Sequence, residues 1–336
     1  MIIHVILMVT IKDIEKYTGI SMATISRAIR NPNSVSAEKL KIINEAIEKL
    51  GYIPNYYASN LKGNNGSNIG LIVNDVQNPF FNSLIRSIET HLEKEKLRLL
   101  ISFGLSENDS IEDKIKNFIA SGVSGIMFSP NTINTTNIEN LLNQNNVYAL
   151  QLFTKVYDKI DSVLVDDFYG TYLATKRLIL SGHKNIMLIG FDDMACIQRV
   201  NGFRKAFEEK NLPITDDNIF LIKKHDLLQE KIGTKIVSCN PTAIITISDN
   251  INTQTVKSLK KLSMNIPNDI SLILYDDSSW ADLMNITAIG HQINELGLEI
   301  ANTLIAGIKN KKKGSPVNKI IEPIIIERNS IKDIKN

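Results

Sequence analysis

Two groups of residues in this 336-residue chain carry types that could do chemistry. The first is a set of carboxylates, hydroxyls and aromatics that follow short apolar runs: Asn74 and Asp75, Phe80 and Phe81, Phe153, Asp166 and Asp167, Ser248 with Asp249 and Asn250, and Asp276 with Asp277. Carboxylates accept hydrogen bonds from sugar hydroxyls while aromatic faces cover apolar ring surface, so the set suits a small polyhydroxylated molecule. The same Asp, Asn and Ser types also cap helices, and at any one position capping is an equal alternative. The second group lies between Ser21 and Arg30, where the helical spacing of Ile25, Ala28 and Ile29 leaves Met22, Ala23, Ser26, Arg27 and Arg30 pointing outward. No Ser/His/Asp order, metal-ligand spacing, phosphate-cradling glycine loop or GxGxxG accompanies either group, so an enzyme acting on sugars or nucleosides has no support beyond the aspartates themselves.

The elements that must position these residues follow from periodicity. Thr10 with Asp13 starts a helix in the manner of a capping box, and Ile11, Ile14 and Tyr17 or Thr18 form its apolar face. Gly19 breaks it, and Ser21 is the N-cap of the next. Helix, glycine-containing turn, helix is a DNA-binding arrangement whose second helix lies in the major groove. Asn31-Pro32-Asn33-Ser34 makes a turn, Ser36 caps a third helix with Leu40, Ile43, Ile47 and Leu50 as its stripe, and Gly51 stops it. Pro54 suits the first position of a segment of about eight residues, Asn55 to Lys62, before the linker-like run from Gly63 to Asn68. So short a helix is marginal alone and needs outside help.

From Ile69 onward apolar runs alternate with longer helical stretches. Ile69–Val73, Arg98–Ser102, Gly125–Ser129, Val147–Leu152, Val163–Val165, Asn185–Ile189, Ala243–Ile247 and Ile270–Tyr275 are expected as buried strands, with helices such as Phe80–Lys96, Tyr169–Ser181 and Arg199–Lys210 between them. Parallel sheets with helices on both faces follow, as two doubly wound lobes. Ligands in such sheets bind beyond the C-terminal strand ends, where the first group of residues stands.

Composition sets the remaining bounds. The net charge is only +2, and residues 9–62 hold eight lysines and arginines against five carboxylates. That surplus fits a solvated helical domain as well as a DNA-binding one, so the motif and not the charge decides. Cys196 and Cys239 stand far apart without metal-ligand companions, which predicts a reduced, cytoplasmic protein without disulfide framework, metal or cofactor. The first eight residues are apolar but lack a basic region and a cleavage site, and are too short to span a membrane. They are expected as a loose extension, or as the product of an upstream start with Met8 as the usual first residue.

The series Val9-Thr10-Ile11-Lys12-Asp13-Ile14, Gly19-Ile20-Ser21-x-x-Thr24-Ile25-Ser26-Arg27, Val35-Ser36, Gly51-Tyr52-Ile53-Pro54-Asn55, Ala58-Ser59-x-Leu61-Lys62, Ile69-Gly70-Leu71-Ile72-Val73, Asn78-Pro79-Phe80-Phe81, Ser181-Gly182-His183-Lys184-Asn185-Ile186 and Tyr275-Asp276-Asp277 resembles the lactose-repressor (LacI-type) family of bacterial regulators. The motifs come in order and at family spacing over nearly the whole chain from Met8. The resemblance implies a small all-α helix-turn-helix domain and hinge helix, followed by a two-lobed α/β core like a periplasmic sugar-binding protein. Expected boundaries are 1–8 for the extension, 9–54 for the DNA-binding domain, 55–68 for hinge and linker, and 69–336 for the effector-binding and dimerisation core. Within that core the N-lobe takes 69–165 and 290–322 and the C-lobe 166–289 and 323–336, with crossings near Val165, Ile289 and Pro323.

The partners implied are double-stranded operator DNA, a small-molecule effector of carbohydrate type, and a second copy in a homodimer, with neither a tetramer nor a membrane. For DNA the expected residues are Thr10, Ser21, Met22, Ala23, Thr24, Ser26, Arg27, Arg30, Asn55, Ala58 and Leu61. Leu61 holds the position of the leucine that wedges into the minor groove and kinks the duplex. Met22 and Ala23 favour base methyl groups and shape, leaving Arg27 as the hydrogen-bonding base reader. Arg30 replaces the usual Asn and adds a phosphate contact. For the effector they are Asp75, Phe80, Phe153, Arg199, Ser248, Asp249, Asp276 and His291. Phe80 matches the stacking aromatic, and Arg199 and Asp276 match an effector-binding arginine and aspartate. His291 and Gln292 depart from the Gln and Pro of sugar-responsive members. Two alternatives stay open: a global regulator whose corepressor is a phosphorylated protein, and, from another class, a solute-binding receptor. The receptor requires a signal peptide and no helix-turn-helix, the reverse of what stands here.

Overall fold

The computed structural model describes residues 9–52, 67–73, 77–103, 110–130, 138–223, 228–310 and 314–335. The chain divides into two compact units between Asn65 and Gly66. The expected hinge, including Asn55, Ala58 and Leu61, lies outside the described residues, as do Asp75 and residues 1–8.

In the first unit, α1 (Ile11–Thr18), α2 (Met22–Arg30) and α3 (Ala37–Leu50) enclose Ile14, Ile25, Ala28, Ile43 and Ala46. Leu40, Ile47 and Leu50 of the expected stripe pack around that center. The Asp13 carboxylate accepts from both the Thr10 amide (2.8 Å) and hydroxyl (2.7 Å). Those two bonds, the hydroxyl's first, hold the Asp13 carboxyl below its ordinary range. Of the two candidates for the α1 face, Thr18 is half-buried and its hydroxyl donates to the Ile14 carbonyl (2.8 Å), while Tyr17 is exposed beneath the Lys49 ammonium. Gly19 turns the chain at φ 71°, a conformation that glycine reaches without steric cost.

The second unit holds, among the described residues, two six-stranded sheets. The first is built from β1 (Asn68–Val73), β2 (Arg98–Phe103), β3 (Val123–Phe128), β4 (Tyr148–Leu152) and β5 (Asp161–Val165), with α4 (Pro79–Lys94), α5 (Ile111–Ala120) and α6 (Ile138–Gln144) between them. After β5 the chain enters α7 (Asp167–Leu180) and the second sheet: β6 (Ile186–Phe191), α8 (Cys196–Glu209), β7 (Ile219–Ile222), α9 (Leu228–Cys239), β8 (Ala243–Thr246), α10 (Asp249–Lys261), β9 (Ser271–Tyr275), α11 (Ser279–Leu283) and β10 (Thr287–Gly290). Helix α12 (Ile293–Asn310) and β11 (Asn318–Ile321) return to the first sheet, and β12 (Ile324–Ile326) ends in the second. The orders are β11-β5-β4-β3-β1-β2 and β12-β10-β9-β8-β6-β7, parallel throughout except that β12 runs antiparallel to β10. The α/β architecture is the one the alternating pattern implies.

Period-two alternation explains how the first sheet is covered on both faces. Ile69, Leu71 and Val73 pack with Leu84, Ile88, Ile300 and Leu304 of α4 and α12, whereas Ile72 packs with Ile115 and Phe118 of α5. Strands β7, β10, β11 and β12 were not among the expected runs. They have three or four residues each, and β11 is an edge strand whose Asn318, Lys319 and Ile320 are exposed, so no apolar run marks it.

His183 fastens the end of the chain to this sheet. It is 1% exposed, with Nδ1 2.9 Å from the Thr242 hydroxyl and Nε2 3.0 Å from both the Lys332 carbonyl and the Ser271 hydroxyl. Burial pushes its pKa below the ordinary value. A group whose folded pKa is depressed binds more protons when unfolded, so its contribution is complete above about pH 6.5 and is lost as pH falls toward the folded pKa. The urea midpoint of the wild type is therefore expected to fall between pH 7 and 5.5 by more than that of His183→Gln; equal slopes would contradict it.

Candidate operator interface and effector site

Helix α2 presents its outer face through a cap supplied by α1. The Met22 amide donates to Glu15 Oε1 (3.0 Å), a carboxylate placed where the helix dipole favours negative charge. Ser21 stands at the N-cap, but its hydroxyl meets that of Thr24 (3.0 Å) instead of a backbone amide, so the expected side-chain cap is replaced by Glu15. Of the expected DNA residues, Thr10, Ser21, Met22, Ala23 and Arg27 are exposed, Met22 at 43%, and Thr24 and Ser26 are half-buried. Arg30 ends α2, and its side chain lies outside the described atoms. Ile25 and Ala28, one and two turns along, are buried, which fixes the rotation of α2 and leaves Arg27 facing water.

The effector candidates converge on the C-terminal ends of β8 and β9. Helices α7 and α8 pack so closely that a Cβ on Gly202 would stand 2.1 Å from the Phe168 carbonyl oxygen. That approach brings Arg199 against Asp167: guanidinium nitrogens lie 3.3 and 3.4 Å from its two carboxylate oxygens, and Nη1 donates to the Ile247 carbonyl (2.6 Å). The guanidinium lies flat over Tyr275, 3.7 Å from the ring centroid, and the Tyr275 hydroxyl donates to the same Asp167. Burial works against the charge, yet Asp167 and the other neighbours outweigh it and raise the Arg199 pKa. The ion pair is buried and satisfied, the condition for a charge in such a place.

Asp276, 7% exposed, follows β9 at φ 66°, an uncommon conformation for a residue with a side chain. Its carboxylate accepts from His291 Nε2 (2.8 Å) and from Asn78 Nδ2 (3.0 Å). Burial raises its pKa, but the His291 bond, the charges of His291 and Arg199 and the Asn78 amide prevail, and the net shift is downward. Asn78 belongs to the turn before α4 and also caps that helix through the Phe80 amide (2.9 Å). The bond from Asn78 to Asp276 therefore ties the first-sheet lobe to the second. Helices α4 and α12 reach the cleft together, packed so tightly that a Cβ on Gly297 would lie 2.3 Å from the Ser87 hydroxyl.

An aromatic wall adjoins this network. The Phe80 centroid is 4.7 Å from His291, 5.6 Å from Phe153 and 5.3 Å from Phe81. Phe153 holds φ 64°, an outlier for a bulky residue, and such strain gathers at ligand sites. Ser248, at the N-cap of α10, makes no capping bond, and its buried hydroxyl has no partner among the described residues. Asp249 is the first residue of α10. The capping alternative applies instead to Asp166, which accepts from the Tyr169 amide (2.8 Å), while Asp277 receives Arg328 on both oxygens (2.8 and 3.1 Å).

Four residues in these networks were not among the expected site residues: Glu15, Asn78, Asp167 and Tyr275. Asn78, Asp167 and Tyr275 are each adjacent to a strand end or helix start, a signal available in the pattern. Glu15 is paired to Met22 across a turn and carries no local signature.

Residues 10–55 match the model of "Bacterial regulatory proteins, lacI family", and residues 175–331 match that of the periplasmic binding protein-like domain. Among curated proteins, the chain is 29% identical over 335 residues to the HTH-type transcriptional repressor PurR of Actinobacillus pleuropneumoniae serotype 3, covering 97% of this chain and 99% of that one. Among solved structures, it is similar to a LacI family transcriptional regulator from Enterococcus faecium with bound ribose (25% identity, TM-score 0.71, 80% of this chain and 100% of that chain). The fold of the lac repressor dimer bound to operator and the anti-inducer ONPF also matches (20% identity, TM-score 0.83, 97% and 100%). With a DNA-binding helix-turn-helix and a two-sheet binding core both matched in order, the chain belongs to the lacI family of bacterial regulatory proteins.

Proposed function

We propose that this chain is a cytoplasmic repressor that reads a palindromic operator as a homodimer and changes its DNA affinity when a carbohydrate occupies the cleft around Asp276. The observation that carries this reading is the bond between Asn78 and Asp276, which joins the two lobes through the buried carboxylate of the cleft. A ligand hydroxyl on Asp276 competes with the Asn78 amide, so occupancy and the relation of the lobes are linked. Operator binding falls to the exposed face of α2, with Arg27 the base reader and the short segment around Leu61 the wedge. The relatives support a sugar: a member of this family from Enterococcus faecium is solved with bound ribose. The described residues include no helix long and apolar enough to cross a membrane.

Arg27→Ala is expected to abolish the preference for the operator over random DNA while leaving weak, salt-sensitive binding, because phosphate contacts persist when a base contact is lost. Competition binding at fixed salt measures the ratio, and an unchanged ratio contradicts the base-reader role. Asp276→Asn keeps the shape of the site and removes its charge. It is expected to abolish the response of operator affinity to sugar while sparing binding in the sugar-free state; a mutant that responds at the same sugar concentration places the pocket elsewhere.

A further inference from the structure

The effector cleft contains buried polar atoms whose bonding capacity is unfilled, and their chemistry is not symmetrical. His291, whose side chain is 5% exposed, directs Nε2 at Asp276 (2.8 Å). The carboxylate can only accept, so Nε2 carries the proton and Nδ1 of the neutral ring is left as a lone pair. Nδ1 has no partner among the described residues. Asn252, 0% exposed and on the first turn of α10, donates Nδ2 to the Tyr275 carbonyl (2.6 Å), which fixes its amide and leaves Oδ1 as a second unpartnered acceptor. The Ser248 hydroxyl is the third unfilled group. Arg199 Nη1 bonds the carbonyl beside Ser248, Asn252 bonds the carbonyl beside Asp276, and His291 bonds Asp276 itself, so the three orphans share the ends of β8 and β9.

The cleft's charges point the same way. Arg199 is spent on Asp167, the Ile247 carbonyl and the Tyr275 face. Asp276 stays ionised beside a neutral amide and a neutral imidazole, so the local balance is negative. Two of the three orphans can only accept, and the third can do either. An anionic phosphoryl or carboxylate brings acceptors to acceptors, whereas each sugar hydroxyl brings a donor.

We infer that the effector is an uncharged polyol which donates hydroxyl protons to His291 Nδ1, Asn252 Oδ1 and Asp276, and that phosphorylated or acidic sugars are excluded. This rests on the carbohydrate reading and narrows it to one charge class. An acidic sugar leaves these acceptors unfilled, which corresponds to affinity weaker by at least about tenfold.

The test uses the full chain, with melting temperature and operator release as readouts at matched ionic strength. One pool holds neutral pentoses, hexoses and disaccharides; the other holds the phosphates and aldonic acids of the same sugars. The neutral pool is expected to raise the melting temperature and shift operator binding, with the acidic pool needing at least about tenfold higher concentration. Tighter action of the acidic pool overturns the inference and leaves the carbohydrate reading intact. No effect of either pool overturns the carbohydrate reading, and the inference falls with it. In Ser248→Ala, which removes one unfilled group at little cost in shape, the neutral pool is expected to act about tenfold more weakly. An unaltered response removes Ser248 from the ligand's contacts.

Discussion

The carboxylate of Asp276 is the group on which the rest of the core depends. An ion with so little contact with water is tolerated only where hydrogen bonds and opposite charge replace its hydration, and the fold supplies them from three directions. Asn78 comes from the start of α4, His291 from the crossing that leads into α12, and the Arg199 charge from α8. The first lobe contributes one of these partners and the second lobe another, so the ion holds both. A ligand that offers its own donors to Asp276 can take over part of that role, which makes the same interaction the lock of the empty cleft and the receptor of the occupied one.

That arrangement explains why strain collects where it does. Asp276 and Phe153 both adopt left-handed backbone, at φ 66° and 64°, and one provides the charge of the cleft while the other helps to cover its apolar side. Each such residue costs on the order of 1–3 kcal/mol, maintained only because surrounding structure over-determines it. The close approaches at Gly202 and Gly297 are part of that determination, since they set α8 on α7 and α12 on α4 to within backbone contact. In the DNA-binding unit the analogous constraint is the Glu15 carboxylate on the first amide of α2, which joins the two helices of the motif across their turn.

Much of this was legible in the residues. Alternation of apolar runs and helical stretches gave the two-sheet α/β architecture, because strands buried on both faces read as unbroken apolar runs. The edge strands β7, β11 and β12 escaped, being short and in part solvent-facing, and β10, though buried, is only four residues long. The positions after strands marked Ser248, Asp249, Asp276 and Asp277 alike, but their roles differ: Asp277 is occupied by Arg328, while the Ser248 hydroxyl is unfilled. No local pattern separates them, since the deciding partners lie dozens of residues away. The same holds for Asn78 and Asp276, 198 positions apart, and for Glu15, whose cap on α2 replaces the one expected from Ser21.

If the cleft and the operator face are two ends of one switch, their binding free energies are coupled, and the coupling is reciprocal by thermodynamic necessity. The most direct measurement is therefore a closed cycle: operator affinity with and without a saturating neutral sugar, and affinity for that sugar with and without operator, under one salt condition. The two ratios are expected to be equal and different from one, and to collapse to one in Asp276→Asn. A sugar that binds the cleft with the same affinity in the presence and absence of operator contradicts the linkage.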